Sequence, residues 1–398
     1  MANKNLGNAK AAKNDEFYTQ YADIEKEISA YLEYDPDVFR GKTVLLPCDD
    51  PEWSNFTKYF AQNFTRLGLR RLVSTSYAPD AKRAKYGVQL QLSLFEQQSP
   101  KFDPQKAETH GRLFAIDHDI TGDGRIDMSD LDFQYLEGDG DFRSRELCQL
   151  RDEADMIVTN PPFSLFREFI QWIIEAQKKF LIIGNMNAIT YKEIFPLIKE
   201  NKVWLGDSIH SGDREFGVPD EYPLNAAGWR IDENGKKYIR VKGVRWFTNL
   251  EHGRRHEPLQ LMTMAENKKY SRHKEVRGKD YQHYDNYDAI EVPFTDAIPA
   301  DYDGVMGVPI SFLDKYCPEQ FEILGITAGR DEFEARPTKR YINPMQVNPN
   351  GTLVNGSKAN TRATIILPSI PNGIYYTADN ASGPMQIMYA RILIRRKK

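Results

Sequence analysis

Short apolar runs alternate with amphipathic stretches along the first half of the chain. Five runs have the length and composition of buried strands: Val44–Leu46, Leu72–Ser74, Leu113–Ile116, Met156–Val158 and Phe180–Ile183. Helical spacing follows two of them, over Asn55–Leu67 with Gly68 as the stop and over Ser164–Lys179. Alternating strands and helices predict an α/β fold with a mostly parallel sheet and ligands at the carboxyl ends of its strands.

The pattern changes at Trp204 to turn-rich, aromatic β segments such as Tyr238–Val241 and Val244–Phe247. A length of 398 residues suits one large domain and a smaller one. We therefore predict a cofactor-binding and catalytic core over residues 1–203. Residues 204–398 are predicted to hold the remaining core strands and a C-terminal turn-rich α+β region.

The turn Asn160–Phe163 carries the most distinctive chemistry of the chain. It reads Asn-Pro-Pro-Phe and lies between the fourth predicted strand and an amphipathic helix. Hydrogen bonds from an exocyclic amine to Asn160 Oδ1 and to the Pro161 carbonyl would favour a more tetrahedral, nucleophilic nitrogen. The prolines fix φ near about −65° and remove competing N–H donors, while Phe163 offers a stacking face. The alternative is an ordinary turn between a strand and a helix.

This turn is one of five blocks that occur in order along the chain. They are Lys13–Thr19, Pro47–Pro51, Gly138–Phe142, Asn160–Phe163 and Gly307–Leu313. Together they resemble the EcoRI-type adenine-specific DNA modification methyltransferases. The resemblance implies a Rossmann-like methyltransferase sheet that uses S-adenosyl-L-methionine. It also implies methyl transfer to N6 of an adenine flipped out of duplex DNA, with Asn160, Pro161, Pro162 and Phe163 as the catalytic residues.

The same resemblance assigns the cofactor-binding residues, which are Phe17, Tyr18, Thr19, Pro47, Asp49, Asp50, Asp141 and Phe142. The first three match the block over the methionine part of the cofactor, and Asp49 or Asp50 would hold its ammonium group. Asp141 and Phe142 match the block that contacts the cofactor adenine. The turn at 47–53 lacks the glycine that most such enzymes carry, which leaves open a non-catalytic DNA-binding protein on a decayed methyltransferase fold.

A separate segment, Asp119–Asp130, has the ligand spacing of a calcium loop. Its candidate ligands are Asp119, Thr121, Asp123, Asp127 and Asp130, with Gly124 at the turn position. The alternative is a tight Asp/Gly turn that joins two core elements. We predict no metal in methyl transfer itself.

Charge is unevenly distributed along the chain. The net charge is −4, but residues 335–398 contain ten Lys or Arg and one acidic residue, Asp379, which gives about +9. A second basic cluster spans Arg254–Lys279. These segments predict phosphate contacts, and the alternative is an ordinary solvated surface. The resemblance implies double-stranded DNA as the partner, with a cognate restriction endonuclease acting on the same site as a further candidate partner. RNA or a protein glutamine amide are the alternative acceptors.

The remaining composition predicts a cytoplasmic protein. No run of 18 apolar residues suggests a membrane span, and the N-terminus lacks an apolar signal segment. The three cysteines have the spacing of neither a disulfide framework nor a zinc site.

Overall fold

The computed structural model describes residues 18–51, 53–78, 94–210, 212–218, 222, 224, 228–327 and 335–398. The chain forms two compact units. The first unit comprises Met1–Ala188 and Val203–Gly253, and the second comprises Ile189–Lys202 and Arg254–Lys398. Strands that follow Trp204 therefore still belong to the first unit, up to Thr248.

The described part of the first unit contains two sheets. Its strands are β1 (Tyr18–Thr19), β2 (Thr43–Leu46), β3 (Arg71–Ser76), β4 (Arg112–Ile116), β5 (Asp132–Tyr135), β6 (Met156–Thr159), β7 (Lys179–Asn185), β8 (Trp204–Leu205), β9 (Asp213–Val218), β10 (Arg230–Ile231), β11 (Lys237–Lys242) and β12 (Val244–Thr248). The larger sheet has the order β5-β4-β3-β2-β6-β7-β12-β8, and the smaller sheet has the order β1-β9-β11-β10.

Among the described residues of the first unit, the α-helices are α1 (Tyr21–Tyr34), α2 (Asn55–Gln62), α3 (Phe64–Leu67), α4 (Leu94–Gln98), α5 (Arg145–Glu153) and α6 (Phe166–Glu175). Those of the second unit are α7 (Phe195–Lys199) and α8 (Met264–Tyr270). Short 3-10 helices cover Met128–Asp130, Phe163–Leu165, Met186–Thr190, Gly253–His256, Thr295–Ala297, Ile310–Lys315 and Ser357–Asn360. Among the helices described, none is long and apolar enough to cross a membrane.

The larger sheet is mixed, with a parallel centre. Strands β3, β2, β6 and β7 run parallel to their neighbours in this series. The flanking pairs are antiparallel, including β3 with β4 and β7 with β12. The prediction of an α/β fold is confirmed, but the prediction of a mostly parallel sheet is wrong outside the centre. The Asp119–Asp130 turn joins β4 to β5 directly, and strands joined without a crossover pair antiparallel.

Apolar composition explains the central strands. Every residue of β2 and of β6 is buried, as expected for parallel strands that are covered on both faces. The five predicted strand segments all lie within β2, β3, β4, β6 and β7. Local pattern was therefore sufficient to place the strands that matter for the site.

Helix α6 is shorter than predicted from Ser164–Lys179. It begins only after the 3-10 helix Phe163–Leu165, and the chain leaves it before Gln177, whose φ is +53°. Its buried side chains are Phe166, Phe169, Ile170, Trp172 and Ile173. The helical spacing of the sequence predicts Phe166, Phe169, Ile170, Ile173 and Ile174 on one face. Trp172 is buried in place of Ile174, which is half-buried.

The helix predicted over Asn55–Leu67 is divided into α2 and α3 at Asn63. Ser54 caps α2, because its hydroxyl accepts hydrogen bonds from Phe56 N at 3.0 Å and Thr57 N at 3.4 Å. Gly68 ends α3 in the left-handed conformation with φ of +64°, which confirms it as the stop.

The residues of the second unit that the structure describes also form two sheets. Its strands are β13 (Ile290–Glu291), β14 (Met306–Pro309), β15 (Phe321–Ile326), β16 (Met345–Val347), β17 (Leu353–Asn355), β18 (Thr364–Ile366), β19 (Tyr375–Thr377), β20 (Met385–Ile387) and β21 (Arg391–Arg396). One sheet has the order β13-β14-β21-β15 and the other the order β17-β16-β19-β20-β18. A buried ion pair between Arg391 and Glu291, with N···O of 2.6 Å, lies in the first of these.

A buried carboxylate anchors the loop after β8 in the first unit. Glu27 accepts hydrogen bonds from Tyr31 Oη at 2.8 Å, Asp207 N at 2.9 Å and Ser208 N at 2.7 Å. Burial raises the pKa of this carboxyl group. The loop approaches so closely that a Cβ at Gly206 would meet Glu27 Oε1 and the Cβ of Trp246.

Gly206→Ala should therefore destabilise the protein by about 1–3 kcal/mol, the usual effect of overpacking a rigid core. Gly253→Ala is the matched control, since a Cβ there meets nothing within 4 Å. Urea denaturation monitored by tryptophan fluorescence measures both variants. Equal midpoints for the two variants would contradict the packing described here.

Candidate active site

The Asn-Pro-Pro-Phe turn lies at the end of β6. Asn160 is half-buried and Pro161 is buried directly after Thr159, the last residue of the strand. Pro162 has φ of −54° and ψ of 121°, and its carbonyl accepts a hydrogen bond from Leu165 N at 2.9 Å. The turn is thus fixed between a buried strand and the buried face of α6, so its carbonyls have defined directions.

The turn lies at a point where the direction of the sheet reverses. After β2 the chain leads to β3 on one side, whereas after β6 it leads to β7 on the other. Strands β2 and β6 are parallel neighbours, so their carboxyl ends meet at one edge. Open α/β sheets bind ligands at this kind of switch point.

Asp49 connects the two strand ends. Its carboxylate accepts a hydrogen bond from Thr159 Oγ1 at 2.5 Å and one from Ser54 Oγ at 2.6 Å. Its backbone carbonyl accepts a hydrogen bond from the hydroxyl of Ser74 in β3, and its N–H donates to the carbonyl of Thr75 at 2.9 Å. Asp49 therefore joins the ends of β2, β3 and β6 and fixes the residue that precedes Asn160.

The environment of Asp49 is dry. Its side chain lies in a residue that is only 4% exposed, and burial raises the pKa of its carboxyl group to about 6. The hydrogen bonds from Ser54 and Thr159 act in the opposite direction. Because both oxygens of the Asp49 carboxylate accept hydrogen bonds inside the protein, Asp49 positions other groups of the site. Asp50, which is half-buried, is the better candidate of the two for a cofactor ammonium.

The N-terminal block lies beside the turn that follows β2 and contains Asp49 and Asp50. Tyr18 stacks on Trp53 with ring centroids 6.4 Å apart and an interplanar angle of 22°. Asn55 Nδ2 donates to the Thr19 carbonyl at 2.7 Å, and β1 is held in the small sheet by pairing with β9. Tyr18 and Thr19 thus lie beside the turn that follows Asp50. Pro47 is buried at the start of this turn, and Phe17 lies outside the described residues.

The block Gly138–Phe142 lies at the end of β3. Gly140 has φ of +87°, and a Cβ there would meet the Ser76 carbonyl, so only glycine suits this close approach. Ala78 N donates to the Asp139 carbonyl at 2.8 Å. One predicted block therefore lies at the carboxyl end of each of three neighbouring strands, β3, β2 and β6. The block at β3 follows β5 in the chain and lies beside the end of β3.

The two predicted residues of this block have different surroundings. Asp141 is half-buried, and its carboxylate accepts hydrogen bonds from Arg143 Nε at 2.9 Å and Nη2 at 2.6 Å. Phe142 is 5% exposed and packs edge-on against Phe169 and Trp172 of α6, with centroids 5.1 and 5.6 Å away. Phe142 therefore holds the block against α6, and Asp141 has the more accessible side chain.

Phe163 is half-buried and packs against the large hydrophobic core of the first unit. All described candidate residues of the site belong to the first unit. The Gly307–Leu313 block belongs to the second unit, where it forms the end of β14 and most of the 3-10 helix Ile310–Lys315.

Carboxylates of the Asp119–Asp130 segment accept hydrogen bonds from backbone N–H groups of the same segment. Asp130 accepts hydrogen bonds from Ile120 N, Thr121 N and Asp127 N at 2.9–3.0 Å. Burial acts to raise the pKa of Asp130, but these backbone hydrogen bonds prevail and lower it. Asp119 likewise accepts from Gly122 N and Gly124 N. Within the part of the chain that the structure describes, no three His, Cys, Asp or Glu side chains are grouped to hold a metal ion.

Sequence reasoning missed Thr159, Ser54 and Ser74 as parts of the site. Ser54 had a local signal, because serine before a helical stretch is a typical N-cap. Thr159 and Asp49 are 110 residues apart in sequence. Nothing local connects these two residues, so only the pairing of β2 with β6 reveals the contact.

Comparisons with known proteins show the family of the chain. A family model described as "Adenine-specific methyltransferase EcoRI" matches residues 5–397. The chain is 44% identical over 330 residues to type II methyltransferase M.EcoRI of Escherichia coli, which covers 83% of this chain and 91% of that protein. It is 34% identical over 325 residues to type II methyltransferase M.MpnI of Mycoplasma pneumoniae, covering 80% and 85%. No solved structure matches the chain.

Proposed function

The chain belongs to the EcoRI adenine-specific methyltransferase family, and we propose that its Asn160 turn holds the amino group that is methylated. It is a site-specific DNA methyltransferase that modifies adenine. The observation that carries the mechanism is the position of Asn160–Phe163 at the switch point of the sheet, directly after Thr159, which is hydrogen-bonded to Asp49.

The chemistry of an aromatic amine explains what the turn would do. Its lone pair is delocalised into the ring, so the free amine is a weak nucleophile. Asn160 Oδ1 and the Pro161 carbonyl would accept its two hydrogen bonds and favour a more tetrahedral nitrogen. Because the turn is fixed by β6 and α6, these acceptors need little reorganisation during the reaction.

The residues at the neighbouring strand ends fit S-adenosyl-L-methionine. Asp50 would hold the ammonium group, Tyr18 and Thr19 would cover the methionine part, and Asp141 would accept from the adenine amine. When bound, the cofactor supplies a methyl group activated by a sulfonium. The chemistry of the side chains supports this assignment, since the half-buried carboxylate of Asp50 and the aromatic ring of Tyr18 belong to the turn after β2 and to the strand beside it.

The target adenine would have to leave the duplex to reach Asn160, because the amino nitrogen of a stacked, paired base is not accessible for in-line attack. The second unit would supply the duplex contacts, since the basic segment 335–398 belongs to it. A methyltransferase of this kind would protect its site from a cognate restriction endonuclease.

Transfer of label from tritiated S-adenosyl-L-methionine to duplex DNA, RNA and a protein acceptor tests the assignment. We expect incorporation into duplex DNA alone. Label in RNA or in a glutamine amide would move the activity to another acceptor. Cofactor binding without any transfer would instead favour a non-catalytic protein on a methyltransferase fold.

A further inference from the structure

The small sheet β17-β16-β19-β20-β18 of the second unit has two different faces. In antiparallel strands directly opposed residues share a face. The register opposes Gln346 with Val354 and Tyr376, and Tyr376 with Met385. Tyr376 and Met385 belong to a hydrophobic cluster with Tyr341. Around Tyr376 and Met385 this side of the sheet, the inner face, therefore packs on the unit itself, whereas Val354 in the edge strand is 43% exposed.

The opposite side, here called the outer face, carries Met345, Val347, Leu353, Asn355, Tyr375 and Thr377. Leu353 is 60% exposed and Asn355 is exposed, while the other four side chains are half-buried. β17 is also an edge strand of the sheet. The outer face thus presents apolar and amide side chains to solvent on a two-strand ribbon.

The hairpin that joins β16 to β17 is rigid at its tip. Asn348 N donates to the Thr352 carbonyl at 3.0 Å, and Gly351 N donates to the Asn348 carbonyl at 2.8 Å. Asn350 Oδ1 accepts from Thr352 N at 3.1 Å, and Gly351 has φ of +80°. A ribbon whose tip is already ordered loses little conformational entropy when it binds.

Charge identifies the kind of partner that this face fits. The whole sheet lies within residues 335–398, which carry ten cationic residues and one carboxylate. Lys339, Arg391 and Arg395 are paired with Asp285, Glu291 and Glu322. Arg336, Arg340 and Lys358 are exposed. A cationic surface attracts phosphates and would repel a second copy of itself.

The dimensions and chemistry of the ribbon match a DNA groove. Two strands lie about 4.8 Å apart, and the major groove, about 12 Å wide, admits a two-stranded ribbon. Amide side chains pair with adenine edges, and apolar side chains contact thymine methyl groups. We propose that the outer face of the β16–β17 ribbon lies in the major groove, where Leu353 and Asn355 meet base edges. This inference rests on the proposed function and names the DNA-reading surface.

Leu353→Ser tests the inference, with Val354→Ser as the matched control. Both side chains are exposed, at 60% and 43%, and they lie next to each other on opposite faces of one strand. The full-length protein is titrated by fluorescence anisotropy with a duplex that contains the site methylated by the wild type. We expect about tenfold weaker binding for Leu353→Ser, from loss of one buried leucine contact, and little change for Val354→Ser.

Salt dependence separates groove contacts from phosphate contacts. Leu353→Ser should leave the slope of log Kd against log salt unchanged. Lys358→Ala, as the loss of a phosphate contact, should reduce this slope by about one. Equal affinities for the Leu353 and Val354 variants would overturn the inference, and so would a change of oligomeric state in Leu353→Ser alone. If the wild type methylates no DNA, the proposed function fails first. If it methylates DNA and the two variants bind alike, only this inference fails.

Discussion

Asn160→Ala is expected to lower the rate of methyl transfer by about 10²- to 10³-fold or more, the usual cost of removing one preorganised hydrogen-bonding group from an active site. Cofactor binding and stability should stay close to those of the wild type, because Asn160 follows the last residue of β6 and is only half-buried. Single-turnover transfer to DNA, with calorimetric titration of the cofactor, measures the two effects separately.

Asn160→Asp should retain much more activity than Asn160→Ala, since a carboxylate oxygen can accept the same hydrogen bond from the amine. Asn63→Ala is the matched control, because Asn63 is also half-buried but lies at the C-terminal end of α2. Normal turnover by Asn160→Ala would remove this residue from the reaction.

Asp49→Asn is expected to change the pH dependence of stability. Burial raises the pKa of Asp49 to about 6, above its value in an unfolded chain of about 4. Between these two values the folded protein keeps a proton that the unfolded chain has released. As the pH rises from about 4 to about 6, the free energy of unfolding of the wild type should therefore fall relative to that of Asp49→Asn. The expected fall is about 1.4 kcal/mol per pH unit, or about 3 kcal/mol in total.

Above about pH 6 both states of the wild type are ionised at Asp49, so the difference between the two proteins should become constant. Urea denaturation from about pH 4 to about pH 8 measures this difference. Asp50→Asn removes the neighbouring carboxylate of the same turn and should weaken cofactor binding. A stability difference between wild type and Asp49→Asn that does not vary with pH would contradict the buried position of Asp49.

Local sequence pattern placed most of the core correctly, because apolar strand segments are short, continuous and bounded by turn residues. It gave β2, β6 and β7 and the stop at Gly68. It was wrong where tertiary contacts decide. Trp172 is buried in place of Ile174, because the aromatic rings of α6 pack together with Phe142 of a distant block.

The candidate site could be predicted as a set of blocks but not as an arrangement. The blocks at Asp49 and Asn160 follow strands that are far apart in sequence, and only the pairing of β2 with β6 makes them neighbours. From the sequence, Asp49 and Asp50 were equivalent candidates for binding the ammonium group of the cofactor. The structure distinguishes them, since both oxygens of Asp49 are engaged by Ser54 and Thr159.

Net charge alone likewise overstated the basic segment 335–398. Its sequence charge is about +9, but three of its cations are paired with acidic residues that lie earlier in the second unit. The exposed cations without such an ion pair include Arg336, Arg340 and Lys358 near the start of the segment and Lys397 and Lys398 at its end. Ion pairs between distant residues are not visible in a local count of charges.

Mass spectrometry of nucleosides from DNA incubated with the protein and isotopically labelled S-adenosyl-L-methionine tests the central claim most directly. We predict labelled N6-methyladenine as the product, at one defined sequence context, and its loss with Asn160→Ala. Labelled N4-methylcytosine or 5-methylcytosine, or unmodified DNA with the cofactor bound, would contradict the assignment of Asn160 as the residue that holds the adenine amino group.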